Sequence, residues 1–369
     1  MIDTIVLTLT SCMYHINEPD KFRPSAARIG DGITAKQNPT KKELKAGIYK
    51  PHLTLSSRPN KFGTYEPMLK IELSLPKLMF GNNFNELQYK DFAIVNSRLV
   101  TVLATMGVQV TTKVLTNAPV AAIHYAKNIL LTDGSTPYHY INKIKEANVQ
   151  FSLDVNQTDY RNEGHSYKWH ANSYEVVFYD KIRDLEKAKQ SDKRALEKDN
   201  VLQVSLLKQF ATRRKLEVLR MEVRLNKRQK MQQLFNKLTI KAPLTFKTLF
   251  KPAISKKVLL HYLDELERKR PALLDYKASN DKDMLAALIV CNPSMTPKQV
   301  IQLFGLKNIL ETVTLRELRG MLAERNMRSW QRMIKEAGLV ELPNTPRHLK
   351  VLRDCLEMFQ TVRSRDFKL

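Results

Sequence analysis

The sequence is short of the residues that build covalent and metal frameworks. It holds three cysteines, Cys12, Cys291 and Cys355, scattered and odd in number, with no C-x-x-C pair. That spacing excludes a disulfide framework and a zinc knuckle and fits a reducing cytoplasm. No His-x-His pair occurs anywhere. Serine-hydrolase, P-loop and dinucleotide signatures are absent as well. Long hydrophobic runs are missing. "LAALIVC" (285–291) falls far short of the roughly 20 residues a spanning helix needs. The opening "MIDTIVLTLT" carries Asp3 and no basic n-region, so it does not read as a signal peptide. Acidic residues are scarce, 37 Asp and Glu against 61 Lys and Arg, a net charge of +24. An excess of that size points to a polyanion, nucleic acid before anionic membrane.

What is present can fold. The 369 residues are 43% hydrophobic, enough for one large core or two or three smaller ones. The first part mixes strand and helix signals. Residues 2–9 form a short apolar strand, and 17–50 read as a long polar loop with three prolines. "PMLKIELSLPKL" (67–78) alternates apolar and polar, then "GNNFNE" (81–86) reads as a turn. Helical spacing follows over 89–106, a strand over 120–132, a short helix over 138–147 and a hairpin over 165–181. An alternating-charge helix spans 182–200. "LRMEVRL" (219–225) alternates strictly, with Leu219, Met221, Val223 and Leu225 on one face and Arg220, Glu222 and Arg224 on the other. After residue 236 the pattern is almost all helical. The order predicts an α+β protein with a domain at 1–236 and a mostly helical domain at 237–369.

Several constellations carry chemistry, each beside a plainer reading. The window 207–235 holds nine Lys or Arg, among them Lys208, Arg213, Arg214, Lys215, Lys227 and Arg228, against two Glu. Such a window grips phosphates or is a solvated helix surface. Glu222, between Arg220 and Arg224, can hold Mg²⁺ or Mn²⁺, or form an Arg–Glu ladder. His124 lies between apolar strand residues, where a lone histidine is more often a satisfied core group than a ligand. In "SYEVVFYDKIRDLEKAK" (173–189), strand alternation puts Glu175, Val177, Tyr179 and Lys181 on one face. A tyrosine titrates near pH 10, so as a nucleophile it needs help, which Lys181 and a divalent cation would supply. Tyr174 and Tyr167 are rivals. Farther on, Thr296 caps a helix that begins at Pro297 and that Gly305 closes. A later basic helix, with Arg328, Arg332 and Lys335 outside and Trp330, Met333, Ile334 and Ala337 inside, completes the outline of a helix-turn-helix module. An ordinary bundle with a basic face gives the same pattern.

"MIDTIVLTL", "ELSLPKLMFGNNFNEL" (72–87), "NSYEVVFYDKIRDLEKAK" (172–189), "VLRMEVRLNKR" (218–228) and "RNMRSWQRMIKEAGL" (325–339) occur in the order found in the gene II / gene X replication initiators of filamentous phages. In this ordered set the chain resembles that family over most of its length. The resemblance implies a mixed-sheet nicking domain of the Rep/relaxase type followed by a helical DNA-binding or assembly domain. It implies that a tyrosine nicks one strand of origin DNA, stays on the 5′ phosphate, and later rejoins the displaced strand. The family's Tyr-x-Lys element falls on Tyr179 and Lys181, and its Arg-x-Glu strand on Arg220 and Glu222. The His-hydrophobic-His metal pair of better-known rolling-circle endonucleases is missing, so the resemblance assigns no metal ligands; His124 with Glu222 is the site expected from the residues themselves for Mg²⁺ or Mn²⁺. The partners implied are duplex origin DNA, the displaced strand, and a host helicase and polymerase in the bacterial cytoplasm. The competing readings are a non-enzymatic plasmid initiator that melts origin DNA, and an RNA-binding structural protein.

Overall fold

Alternation of apolar and polar residues builds most of this molecule. In the strand Ile2–Thr10 (β1), Ile5, Leu7 and Leu9 are fully buried, while Thr4, Thr8 and Thr10 are half-buried on the other face. The same rhythm shapes His52–Pro59 (β5), Tyr65–Ser74 (β6), Val120–Leu130 (β8), Ser166–His170 (β10), Tyr174–Asp180 (β11) and Val218–Leu225 (β12). A computed structural model of the chain describes residues 1–24, 32–59, 63–132, 134–145, 157–161, 163–189, 216–268, 280–312, 318, 321, 324–337 and 347–367. Among these, His15–Ile16 (β2) pairs with Val108–Gln109 (β7). Arg23–Pro24 (β3), Ile33–Gln37 (β4) and Gln157–Arg161 (β9) complete a ten-stranded sheet in the order β3-β4-β5-β6-β1-β8-β12-β11-β10-β9.

Every pairing in that sheet is antiparallel, where a mixed sheet was expected. The topology explains the difference. β6 and β8 run the same way and are linked through the helices Leu75–Phe80 (α2), Phe92–Thr105 (α3) and Thr112–Asn117 (α4), but β1 lies between them. β8 and β11 are also parallel to each other, with β12 inserted between. Two split β-α-β units thus keep parallel strands from ever becoming neighbours. The predicted loop over 17–50 also contains β3, β4 and the short helix Lys41–Lys45 (α1), which opens on a Thr40–Glu43 capping box.

Helices close one face of the sheet. Pro137–Lys145 (α5) buries Tyr140, Ile141 and Ile144. Lys181–Lys189 (α6), after β11, instead packs Leu185 against Phe84, Val218 and Val362 on the face that carries Arg220. Arg228–Lys237 (α7) follows β12. Phe246–Leu249 (α8), Pro252–Arg268 (α9) and Arg347–Met358 (α13) join the same core as the strands: Leu219, Met221 and Val223 share one apolar cluster with Phe250, Val258, Leu263, Leu349, Leu352 and Leu356. The main core therefore runs across residue 236. The composition change there marks a change of secondary structure, not the end of a core. A second, separate cluster holds Asp281–Cys291 (α10), Pro297–Thr312 (α11) and Glu324–Glu336 (α12) together through Met284, Leu288, Leu303, Leu306, Met333 and Ile334. Thr296 caps α11 as expected, and Gln299 reaches back to it to complete a capping box. Gly305 does not close α11, which continues to Thr312. Among the described residues no helix is long and apolar enough to cross a membrane.

Candidate active site on the polar face of the sheet

The face of β12 opposite its apolar residues carries Arg220, Glu222 and Arg224, and the register places a partner beside each. Arg220 lies between Asn128 and Tyr179, Glu222 between Ala126 and Val177, and Arg224 between His124 and Glu175. The Tyr179 hydroxyl donates to Glu222 Oε2 at 3.5 Å. Arg224 Nε donates to Glu222 Oε1 at 2.9 Å and its Nη1 to Glu175 at 3.1 Å. His124 Nδ1 is 3.7 Å from Glu222 Oε1. Arg220, 3% exposed, donates to Asp3 Oδ1 (2.7 Å), to the Asn83 carbonyl (2.9 Å) and to Asn128 Oδ1 (3.1 Å). Its Nε, buried and without a hydrogen-bond partner, lies 3.9 Å from Glu222 Oε2. Tyr179, Glu222 and His124 are thus brought together as the sequence suggested.

Lys181 is not where alternation put it. β11 ends at Asp180, whose Oδ1 accepts the backbone N–H of Arg183 and caps α6, so Lys181 is the first helical residue. Its side chain is fully buried. Nζ donates to Asn83 Oδ1 at 2.7 Å, lies 3.7 Å from Asp184, and is 5.7 Å from the centre of the Tyr179 ring.

The turn after α2 missed its due in the sequence. Gly81 closes α2 in the left-handed region at φ 70°, which suits glycine. The Asn82 side chain accepts the N–H groups of Phe84 and Asn85 and so shapes the turn. Asn83 holds Lys181 with its side chain and Arg220 with its carbonyl. The Phe84 carbonyl accepts from Asn128 Nδ2. Glu86 takes Lys127 Nζ at 2.6 Å, the Asn128 N–H at 2.7 Å and the Val362 N–H at 3.0 Å. A segment after α13 straps the turn down: Lys127 also reaches the Gln360 carbonyl, and Arg363 bonds both Asp91 and the Glu86 carbonyl. Three asparagines and a glutamate packed into the five residues after a helix-closing glycine were the available signal, as was a charge, Asp3, in an apolar strand.

Burial and charge oppose each other here. Burial pushes the Tyr179 phenol well above its usual value, and the Arg220 cation only partly offsets this, so the resting phenol is neutral. Burial would raise Glu222, but Arg224, Arg220 and His124 outweigh it and hold the carboxylate at about 2. Burial lowers Lys181 to about 8 against the pull of Asp184, and it also lowers His124. As arranged, Glu222 and His124 fit a dication poorly. They offer two donors, and both Glu222 oxygens face guanidinium groups whose charge repels one. Among the described residues no group of three or more His, Cys, Asp or Glu gathers.

Glu222 makes the site sensitive to acid. A carboxylate depressed from 4.5 to about 2 contributes stability that is complete above 4.5 and lost as pH falls toward 2. Glu222→Gln takes one carboxylate from Arg220 and Arg224, which keep Asp3 and Glu175, and is expected to cost at most about 3 kcal/mol at pH 7. Denaturant melts of both proteins from pH 7 to pH 2 check this: the gap should close as the pH falls. Parallel curves would show that the Glu222 charge contributes nothing.

Of the expected DNA contacts, Lys208, Arg213, Arg214 and Lys215 lie outside the described residues. Lys227 and Arg228 are exposed at the start of α7, and Arg228 Nη1 reaches the Val120 carbonyl. They sit seven or more residues along from Arg220, roughly 20 Å at about 3.3 Å per strand residue. Arg328 and Arg332 are exposed on α12, with Trp330, Met333, Ile334 and Ala337 packed inward as expected; the Lys335 side chain lies outside the description. No protein-family model, curated protein or solved structure matches this chain.

Proposed function

We propose that the chain is a rolling-circle replication initiator that nicks one strand of origin DNA through Tyr179. The observation that carries this reading is the corner where a half-buried tyrosine on a polar sheet face meets a carboxylate oxygen and a fixed guanidinium. A chain charge of +24 and the ordered resemblance to phage initiators support it. In the reaction, Tyr179 Oη forms a bond to phosphorus and the bond from phosphorus to the 3′ oxygen breaks. The phenolic proton, hydrogen-bonded to Glu222 Oε2 at rest, ends on the 3′ oxygen. The products are a 5′ phosphotyrosine and a free 3′ hydroxyl that primes synthesis. Reversal with the displaced strand rejoins it. The cations that meet developing charge are the chain's own Arg220 and Lys181. Origin duplex, displaced strand, and a host helicase and polymerase in the bacterial cytoplasm are the partners of this reading.

The test is incubation with supercoiled plasmid carrying the candidate origin, with and without Mg²⁺ or Mn²⁺. An open circle bearing covalently attached protein is expected. A second reading, a non-enzymatic origin binder, is favoured by the grip of Arg224 and Arg220 on Glu222, which suits a structural ladder. Specific binding with no adduct under any metal condition would decide for it.

A further inference from the structure

Two buried cations flank Tyr179, and one residue holds both. Arg220 is opposite Tyr179 in the strand register, and the Lys181 ammonium is 5.7 Å from its ring. Asn83 accepts from Lys181 through Oδ1 at 2.7 Å and from Arg220 through its carbonyl at 2.9 Å. Both contacts are to neutral oxygens. The nearest carboxylate to Lys181, Asp184, stands off at 3.7 Å. A fully buried ammonium is costly unless paired with opposite charge, and an aspartate at position 83 would supply that charge from the same place. Asn83 is only half-buried, so a carboxylate there would stay partly solvated. For stability alone, asparagine is the weaker choice. For a field that must fall on a neighbouring hydroxyl, a neutral acceptor is the better one, because it orients the cation and leaves its charge uncancelled.

We infer that Asn83 is a positioning residue: it aims Lys181 and Arg220 at the Tyr179 corner and leaves the Lys181 charge unneutralised, whereas Arg220 is already paired with Asp3. This rests on the nicking reading. The neighbouring Asn82 has a different task, since its side chain bonds only the backbone of its own turn and of Phe80.

Asn83→Asp tests it, because the carboxylate keeps the acceptor oxygen and cancels the field. The expected result splits stability from rate. The melting temperature stays level or rises, duplex affinity stays within a few-fold, and the rate of adduct formation falls about 10- to 100-fold. Asn83→Ala, which removes the acceptor, is expected to slow the reaction as well. If Asn83 merely shaped the turn, Asn83→Asp would nick at the wild-type rate and only Asn83→Ala would suffer; that pattern overturns the inference and leaves the nicking reading standing. An Asn83→Asp protein that does not fold also overturns it. A wild-type protein that forms no adduct removes the nicking reading and this inference with it.

Discussion

Tyr179→Phe should abolish the covalent protein–DNA adduct and leave duplex binding within a few-fold of wild type. The substitution removes one oxygen. The hydrogen bond it deletes is long, 3.5 Å to Glu222, so little stability goes with it. The half-buried ring keeps its place, and the cations around it lose no partner of their own. The rival tyrosines are poorly placed for attack on DNA. Tyr174 is 2% exposed, its ring packed 5.3 Å from Tyr262 with Lys230 on its face at 4.5 Å. Tyr167 is 5% exposed and packs against Trp169. Denaturing gels of the protein with labelled oligonucleotide separate the cases. An adduct that survives Tyr179→Phe and disappears with Tyr174→Phe or Tyr167→Phe would sink the assignment, and with it any role for the Tyr179–Glu222 contact.

The parts of this site that were legible in the sequence are those that follow from local periodicity. Strict alternation in 219–225 placed Arg220, Glu222 and Arg224 on one face, and alternation in 173–179 placed Tyr179 with Glu175 on another. The register then brought the two faces together. What was illegible depends on where one element stops and on contacts made far along the chain. Lys181 was read as a strand residue because the aromatic run continues to Tyr179; Asp180, a good N-cap, was the overlooked stop signal. Asp3 meets Arg220, and Glu86 meets Val362, across separations that no window spans. The charge of Glu222 was visible, but not that one guanidinium would bond it and a second would face its other oxygen, and on this the expected metal site turns. The boundary at 236 followed composition, which reports helix content and is silent on which helices cover the sheet.

That last point decides the outcome of a cut. The composition change invites truncation near residue 240, on the expectation that the upstream half keeps its chemistry and cleaves a single-stranded oligonucleotide. The packing predicts the opposite. Truncation there removes Phe246, Leu249, Phe250, Val258, Leu259, Leu263, Leu349, Leu352 and Leu356, all at most 1% exposed and all in the cluster that covers the sheet. Each such side chain is worth about 1.5–3 kcal/mol of burial, against a whole-domain stability of about 5–15 kcal/mol. The loss exceeds what the fold has. The cut also strips Glu86 of the Val362 N–H, Lys127 of the Gln360 carbonyl, and Asp91 of Arg363, leaving buried charges short of partners beneath the turn that carries Asn83. A protein ending near 240 should therefore show no cooperative melt by circular dichroism and form no adduct with any oligonucleotide. Excising 280–337 instead, with a Gly/Ser linker joining the flanks, removes only the second cluster and keeps α9, α13 and the strap. That protein should melt cooperatively and still cleave single-stranded DNA, and any loss of preference for origin duplex would assign origin reading to α10–α12. A truncated chain that melts sharply and cleaves would show that the helices after residue 240 are dispensable to the sheet, contrary to the core they share with it.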